Sequence, residues 1–382
     1  MGLRDLLRRP APCPARTAPR AVRCSAEGCA VTSTPTAPSV TSASAAEPKA
    51  AAVGRSAATW LGRLPRGAVP VVFFGALLAA PWTVGAPWIV NLLIFTMMYA
   101  AMASAWNLVG GFAGYPSLGH AAFFGVGAYT QAIWFNQHPP VSGWEPFLAL
   151  PLVAVVTAAL GLPVAWVAMR TRTTTFAIVT ITLLFLAQTI AYNAKGLTGG
   201  AQGVGIAPAP FSAAYYAFPF YYVLVAVLAF AVAVTWYVRR SRLGLVLLTV
   251  RDDEDKARGV GAPTTVAKLA AFSLSVGITG AVGAVWAYYV SFVYPAFAVD
   301  PLVTIGMVLM VFLGGRGTLW GPVLGAFLVV PFQQYLAYRL GANSLHLVGY
   351  AALFLTVMLV LPRGILPSVA DRLRLGGRVN KR

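Results

Sequence analysis

Charged residues are scarce in this chain of 382 residues, and acidic residues are the scarcest of them. Lys and Arg number 28, Asp and Glu number 10, and together they make up only 10% of the chain, whereas soluble domains contain about 25%. Hydrophobic residues make up 58%, and the mean hydropathy is +0.73. So few charges cannot cover a soluble globule. The composition excludes an ordinary cytosolic enzyme, a disordered chain and a disulfide-stapled secreted domain, and it predicts an all-α polytopic membrane protein.

Cysteine and the usual catalytic motifs are also missing or rare. Cys13, Cys24 and Cys29 are odd in number and lack C-x-x-C spacing, so we expect no disulfide framework and no metal site. No glycine-rich run is followed by Lys-Ser or Lys-Thr, as a phosphate-binding loop requires. No H-E-x-x-H, paired-carboxylate or Ser/His/Asp constellation is present. We therefore predict that the chain is not an enzyme and holds no cofactor, and that any driving energy comes from a partner.

The charges that are present cluster at the ends of the chain and in one internal segment. Residues 1–68, 239–268 and 362–382 contain 23 of the 28 basic residues and eight of the ten acids. The net charge of +18 is thus divided among segments that flank long apolar spans. A nucleic-acid-binding protein would instead carry such charge on a single basic face. Basic segments beside apolar spans are typical of cytoplasmic loops.

These patterns predict three regions. Residues 1–66 are rich in Ala, Pro, Ser and Thr and are expected to form a disordered basic cytoplasmic tail without a secretory signal; a misassigned start codon is an open alternative for this region. Residues 67–362 are expected to form the membrane domain, which includes the charged cytoplasmic loop 239–268. Residues 363–382 are expected to form a second basic cytoplasmic tail.

Turn signals and charges divide the membrane domain into about ten apolar spans. An even number places both termini on one side, and this side receives every basic cluster, so we expect both termini in the cytoplasm. Eight or twelve spans remain alternatives. The predicted spans are 69–83, 88–109, 116–136, 146–169, 173–194, 213–238, 269–294, 302–314, 318–338 and 344–361.

No acidic residue lies inside a predicted span, and this argues against coupling to a proton or sodium gradient. Polar residues are few within the spans, and most intramembrane amides serve as hydrogen-bonding contacts between helices. The residues with polar or titratable side chains that we consider for a translocation path are Asn107, Ser117, His120 and Gln188. Further amides in the spans are Asn91, Asn193, Gln333 and Gln334.

The charged loop 239–268 contains residues of both charge signs and also a short apolar run. Its apolar run 245–248 leads into RDDEDKAR at 251–258, and Gly259, Gly261 and Pro263 follow as helix-stop signals. We expect a short surface helix that docks in a groove of another protein. The alternative is a solvated loop without a partner.

Two glycine-rich turns lie at predicted cytoplasmic ends of spans. The first contains Gly110, Gly111 and Gly114, and the second contains Gly314, Gly315 and Gly317. Each follows a span that runs toward the cytoplasm and precedes one that runs back. Either these structural glycine hairpins belong to a parallel internal repeat, or they are tight turns that arose independently.

From residue 88 to 361 the chain resembles the permease subunit of branched-chain amino acid ABC importers, in the LivM-like branch. The resemblance implies the ABC importer permease fold and a multi-pass protein of the bacterial inner (plasma) membrane. The segments that carry it are NLVGGFAGYPSLGHAAFFGVGAYT (107–130), TFAIVTITLLFLAQ (175–188), LTGG (197–200), VRDDEDKARGVGAPTTVAKLAAFSLS (250–275) and LGGRGTLWGPVLGAF (313–327).

The resemblance also implies partners and a role for the charged loop. Family permeases pair with a sister permease, here expected as a heterodimer, with ABC ATPase subunits that bind the ATP and with an extracytoplasmic substrate-binding protein. The family's coupling loop has an acidic-Ala-Ala pattern followed by Gly, which Asp255, Ala257 and Gly261 match, while Lys256 stands where a small residue is usual. The residues that we assign to ATPase coupling are Arg251, Asp252, Asp253, Glu254, Asp255, Ala257, Gly259 and Gly261.

The implied function is a translocation path for branched-chain or related amino acids, driven by ATP hydrolysis on a separate subunit. One alternative is the permease of a related ABC importer for urea, short amides or sugars. Another is a self-sufficient carrier or channel, against which the acid-free spans argue. A membrane-embedded enzyme is the third, and the missing catalytic motifs argue against it.

Overall fold

A computed structural model of the chain describes residues 68–83, 86–171, 173–212 and 215–340. Short pieces farther on are described at 348–349, 351–352, 355–356, 359 and 364–368. The N-terminal tail with its three cysteines lies outside the described residues. Most of the predicted span 344–361 and of the C-terminal tail also lies outside them.

Apolar helices make up nearly all of the described chain. The elements in chain order are α1 Ala68–Thr83, α2 Pro87–Asn107, α3 His120–Gln137, α4 Glu145–Leu148, α5 Leu150–Ala168, α6 Thr173–Asn193, α7 Lys195–Thr198, β1 Val204–Gly205, α8 Ala217–Arg240, α9 Arg242–Asp252, α10 Glu254–Gly259, α11 Thr264–Val290, β2 Phe292–Val293, α12 Pro295–Ala298, α13 Pro301–Gly314 and α14 Gly321–Leu340. A π-helical turn, Leu108–Phe112, extends α2, and a 3₁₀ turn covers Gly200–Gln202.

Six helical stretches of the described chain are long and apolar enough to cross a membrane, which confirms the polytopic helical class. A shorter apolar helix covers Pro70–Thr83. Whether there are ten crossings, and on which side the termini lie, stay predictions. The six stretches are Pro87–Phe112, Leu150–Ala168, Thr173–Asn193, Ala217–Arg240, Thr264–Val290 and Pro295–Gly314.

Several helices begin a few residues from the predicted start, and two of these differences bear on the candidate site. Helix α3 begins at His120 rather than at residue 116, since Gly114 and Pro116 keep the preceding segment out of a helix. Helix α11 begins at Thr264, five residues before the predicted start at 269. The charged loop is therefore shorter than predicted, and Lys268 lies within α11.

Helix α11 forms the centre of the bundle and packs most extensively against α3 and α5. Small residues make this packing close. A Cβ at Gly283 would collide with the backbone of Phe124 on α3, and one at Gly280 would collide with Thr157 on α5. Small residues at helix interfaces are typical of membrane bundles, where close backbone approach provides the packing energy.

The two ends of the bundle are built differently. At the end reached by the C-terminus of α2, the chain makes the π turn and then an extended segment to His120. At the other end of α11, β2 pairs antiparallel with β1, with Val204 opposite Val293 and Gly205 opposite Phe292. The charged loop lies at the first end, because it leads directly into the start of α11.

Candidate functional site

The charged loop folds into two helices rather than the single short surface helix expected there. Helix α9 ends at Asp252, and Asp253 is extended, with φ −163° and ψ 107°. The Asp253 carboxylate accepts a hydrogen bond from the backbone N–H of Lys256 at 3.1 Å and thereby caps α10. The backbone breaks here because aspartate favours the N-cap position over a helix interior. Helix α10 ends at Gly259, and Gly261 adopts a φ of +79°.

Apolar side chains hold this pair of helices against the bundle. Leu247 and Val250 on α9 and Ala257 on α10 are buried. They belong to a hydrophobic cluster that includes Phe112 of the π turn and Ala271 of α11. One face of the segment is thus part of the protein's core, which argues against a loop that is solvated on all sides.

A buried ion pair strengthens this attachment. The Glu254 carboxylate accepts hydrogen bonds from Lys268 Nζ at 2.7 Å and from Arg258 Nη2 at 2.5 Å, and also from the Tyr115 hydroxyl. Only 1% of the Lys268 side chain is exposed, compared with 20% of Glu254. Lys268 also donates to the Met169 carbonyl at 3.0 Å. The network therefore joins α10 to α11, to the end of α5 and to the segment before α3.

The protonation states of the network follow from its contacts. Burial would raise the pKa of Glu254, but the hydrogen bonds from Lys268 and Tyr115 and the charges of Lys268 and Arg258 outweigh it and hold that pKa below its usual range. Burial, followed by the hydrogen bond to Glu254, raises the pKa of the Tyr115 hydroxyl. Glu254 is therefore an anion and Tyr115 a neutral donor at neutral pH.

The opposite face of the loop is open. Asp255, Lys256, Val260 and Gly261 are exposed, Val260 to 83%. Asp252 and Gly259 are exposed as well. The residues predicted for coupling thus have different places. Arg251, Glu254 and Ala257 contact the bundle, and Asp253 caps α10. The others, Asp252, Asp255, Gly259 and Gly261, present a surface to the outside.

The two glycine hairpins, which are about 200 residues apart in sequence, meet in the structure. Asn107 joins them, because its Nδ2 donates to the Thr318 carbonyl at 2.9 Å and its Oδ1 accepts from the Gly317 N–H at 2.9 Å. Arg251, the penultimate residue of α9, donates through Nη1 to the Gly111 carbonyl at 3.1 Å. The hairpins and the charged loop therefore form one connected unit, which the sequence did not predict.

Two of the glycines are required by this arrangement. Gly114 and Gly317 have φ of +76° and +74°, a conformation that disfavours any side chain. A Cβ at Gly114 would lie 2.9 Å from Arg251 Cγ, and a Cβ at Gly317 would lie 2.8 Å from Arg251 Nη1. The Arg251 side chain thus packs between the hairpins. The other hairpin glycines line the same turns: Gly110 and Gly111 in the π turn, and Gly314 and Gly315 at the end of α13.

His120 belongs to a fully paired polar chain. Its ring nitrogens contact the hydroxyls of Ser117 at 2.9 Å and Ser275 at 2.8 Å, and Ser275 donates its one proton to the Ala105 carbonyl at 2.7 Å. Ser275 therefore accepts from Nε2–H. The ring and its two serine partners connect α3, α11 and α2.

Three of the four path candidates lie together and one lies apart. Asn107, Ser117 and His120 are buried around the end of α2 and the start of α3. Gln188 is half-buried on α6. Thr180 of the same helix accepts from the Leu118 N–H at 3.0 Å, and Gln188 is eight residues farther along, which is about 12 Å of helix.

Lys268 and Tyr115 are the residues of this site that the sequence-based prediction missed. Lys268 is followed by a long uncharged helix, and a basic residue in that position is also typical of the flank of a membrane span, so the sequence does not distinguish a buried lysine from an exposed one. Among the described residues, no group of three or more His, Cys, Asp or Glu side chains is placed to hold a metal ion.

Comparison with known proteins matches this chain to one family. A family model described as "branched-chain amino acid transport system / permease component" matches residues 88–361. The high-affinity branched-chain amino acid transport system permease protein LivM of Salmonella typhimurium is 27% identical over 315 residues, which cover 75% of this chain and 72% of that protein. The LivM protein of Escherichia coli K12 is 26% identical over the same shares. No solved structure matches.

Proposed function

Because the chain belongs to the family of branched-chain amino acid transport permease components, we propose that it is the translocating subunit of an ABC importer that is driven by ATP hydrolysis on a separate subunit. Its cargo is the branched-chain amino acids. It resides in a bacterial inner membrane with both tails and the charged loop in the cytoplasm, and it pairs with a sister permease and an extracytoplasmic binding protein.

The observation that carries the proposal is the construction of the charged loop. The loop is fixed to the bundle by the buried Glu254–Lys268 pair, and it turns Asp255, Val260 and Gly261 outward. A segment held rigidly on one face and open on the other is suited to receive a force from a partner. A solvated loop would need no buried lysine beneath it.

The contacts supply a route for that force. An ATPase subunit binds the exposed face of α10, and closure of the ATPase pair moves α9 and α10 together. Arg251 passes the movement to both glycine hairpins, and Lys268 passes it to α11. Since α11 packs against α2, α3 and α5, its displacement shifts the bundle between outward and inward openings. The permease needs only different contacts in the two states.

The experiment that tests the proposal is ATP-driven uptake of radiolabelled L-leucine by proteoliposomes that contain the whole transporter. Asp255→Lys and Gly261→Trp alter exposed residues and are expected to reduce uptake at least tenfold while ATP hydrolysis continues. The matched control is Lys195→Glu, a charge reversal at an exposed residue outside the loop, which is expected to leave uptake unchanged. Normal uptake by both loop variants, or uptake by this chain alone, contradicts the proposal.

A further inference from the structure

A cavity of about 600 Å³ lies between the first half of α2 and the second half of α14. This volume is in the range of small-molecule sites. Its walls are largely apolar and aromatic, formed by Trp88, Leu92, Phe95 and Tyr335 together with neighbouring side chains. Nothing in the coupling route described above uses this cavity.

Two amides and one guanidinium are among the described side chains that line the cavity. Asn91 and Gln334 carry neutral amides and Arg339 a guanidinium, while no carboxylate is among the described lining residues. The Asn91 Oδ1 accepts a hydrogen bond from the Tyr289 hydroxyl at 2.9 Å, which orients this amide. The Arg339 guanidinium carbon lies 5.7 Å from the centre of the Tyr335 ring. Among its described lining residues, the cavity thus has one permanent positive charge, that of Arg339, beside apolar walls.

The cavity lies at the end of the bundle opposite the coupling loop. Helix α2 runs from Asn91 to Asn107 at the hairpins, which is about 24 Å at 1.5 Å per residue. Helix α14 begins beside the second hairpin and reaches Arg339 at its far end. In the proposed topology this is the outer side, from which an amino acid enters the permease.

We propose that this cavity binds an amino acid with an aliphatic side chain on its way into the permease. The carboxylate of the amino acid pairs with Arg339, whose planar fork fits a carboxylate with two parallel hydrogen bonds. The ammonium group is held by the amide oxygens of Asn91 and Gln334 and by the aromatic faces. The aliphatic side chain packs against Leu92 and Phe95. This inference rests on the proposed function, since it places that function's cargo at a defined entry site.

The test is equilibrium binding of radiolabelled L-leucine to the purified transporter complex in nanodiscs, without its binding protein. Arg339→Gln removes the charge at an exposed residue and is expected to weaken leucine binding at least tenfold, while Arg339→Lys keeps the charge and loses less. Lys195→Gln, which removes an exposed charge outside the cavity, is the matched control and is expected to bind leucine as the unaltered protein does. L-Leucinamide, which lacks the carboxylate, is expected to compete poorly with leucine.

The proposed entry site is overturned if the unaltered complex does not bind leucine. It is also overturned if the Arg339→Gln variant binds leucine as tightly as the unaltered complex. Equal competition by leucinamide and leucine overturns it as well. The proposed function is judged separately by ATP-driven uptake with the binding protein present. If the Arg339→Gln transporter takes up leucine with an unchanged half-saturating concentration, only the proposed entry site is refuted. If the unaltered transporter takes up no leucine, the proposed function is refuted.

Discussion

Lys268 is a charged side chain that is almost fully enclosed by protein, and its partners determine how firmly the charged loop is attached to the bundle. Its ammonium group contacts Glu254, the Met169 carbonyl and the Tyr115 hydroxyl. A buried charge that loses its counter-ion is costly, whereas removal of both charges can be nearly neutral. Loss of Glu254 and loss of Lys268 should therefore lower the stability of the protein by different amounts.

We expect Glu254→Gln to destabilise the protein by about 3 kcal/mol, because it leaves the Lys268 charge buried without an anion. Lys268→Met should cost less, since Glu254 is partly exposed and keeps Arg258 and Tyr115 as partners. The double variant should be more stable than Glu254→Gln alone. Unfolding in detergent, followed by a fluorescent thermal probe, measures all three. A double variant that is less stable than either single one would contradict this account.

The depressed pKa of Glu254 predicts a pH dependence with a definite sign. A carboxyl group whose folded-state pKa lies below its unfolded value, about 4.3, contributes its full stability above that value and loses it as pH falls through the folded-state pKa. The difference in unfolding temperature between the unaltered protein and Glu254→Gln should therefore stay constant from pH 8 to about 5 and shrink in more acidic solution. A difference that shrinks near pH 7 would show that Glu254 is not held as an anion.

Gly114→Ala should disrupt the hairpin junction, because Gly114 has a positive φ and its Cβ would press on Arg251. Gly196→Ala is the matched control, since a Cβ there has nothing within 4 Å and Gly196 lies outside the charged loop. We expect Gly114→Ala to lower leucine uptake at least fivefold and Gly196→Ala to leave it near normal, both measured in proteoliposomes. Equal uptake by the two variants would indicate that the junction does not carry the coupling.

The separate parts of this junction could be predicted from the sequence, but their assembly could not. The glycine turns and the charged loop are local patterns, visible within a few residues. The contact between Arg251 and Gly111 joins residues that are 140 apart, and the contact between Asn107 and Thr318 joins residues that are 211 apart. A single sequence contains no signal for such pairs, because only the packing of the helices brings them together.

Among the helices, the shape of the charged loop is set by the turn at Asp253 between α9 and α10. Its side chain caps α10, and this separates α9 from α10 and points the exposed face of α10 away from the bundle. The Asp253–Lys256 ion pair, at 2.9 Å, lies largely in solvent, and pairs of this kind contribute little. The cap, rather than the ion pair, should therefore shape the loop.

Asp253→Ala should destabilise the loop, because it removes the N-cap of α10. Asp253→Asn keeps a capping oxygen and should have a milder effect, and so should Lys256→Ala, because the exposed ion pair contributes little. Hydrogen exchange of the amides at residues 254–259 reports on this directly. Faster exchange in Lys256→Ala than in Asp253→Ala would assign the role to the ion pair instead.

The predicted elements also show where sequence reasoning falls short. Most predicted spans within the described chain coincide with a helix to within a few residues, because long apolar runs between charges leave few alternatives. Helix α11 begins five residues before its predicted start, because a lysine such as Lys268 usually marks a loop rather than the interior of a membrane helix. Lys268 can lie inside the helix because Glu254 neutralises it, and that contact is not visible in the local pattern.

At the scale of the whole molecule, the two ends of α2 and α14 have different tasks. One end meets the glycine hairpins and the charged loop, and the other borders the cavity with Arg339. The same two helices therefore connect the proposed motor contact to the proposed entry site. If both proposals hold, we expect a movement of the charged loop to change access to the cavity through these two helices.

The proposed contact between the loop around Asp255 and an ATP-hydrolysing subunit can be tested by chemical cross-linking from Asp255→Cys in the complete transporter, with Cys13, Cys24 and Cys29 replaced by serine. We expect a covalent adduct between this chain and the ATP-hydrolysing subunit, and none from Lys195→Cys. Active transporter that yields no adduct from position 255, or yields it equally from position 195, would contradict the claim.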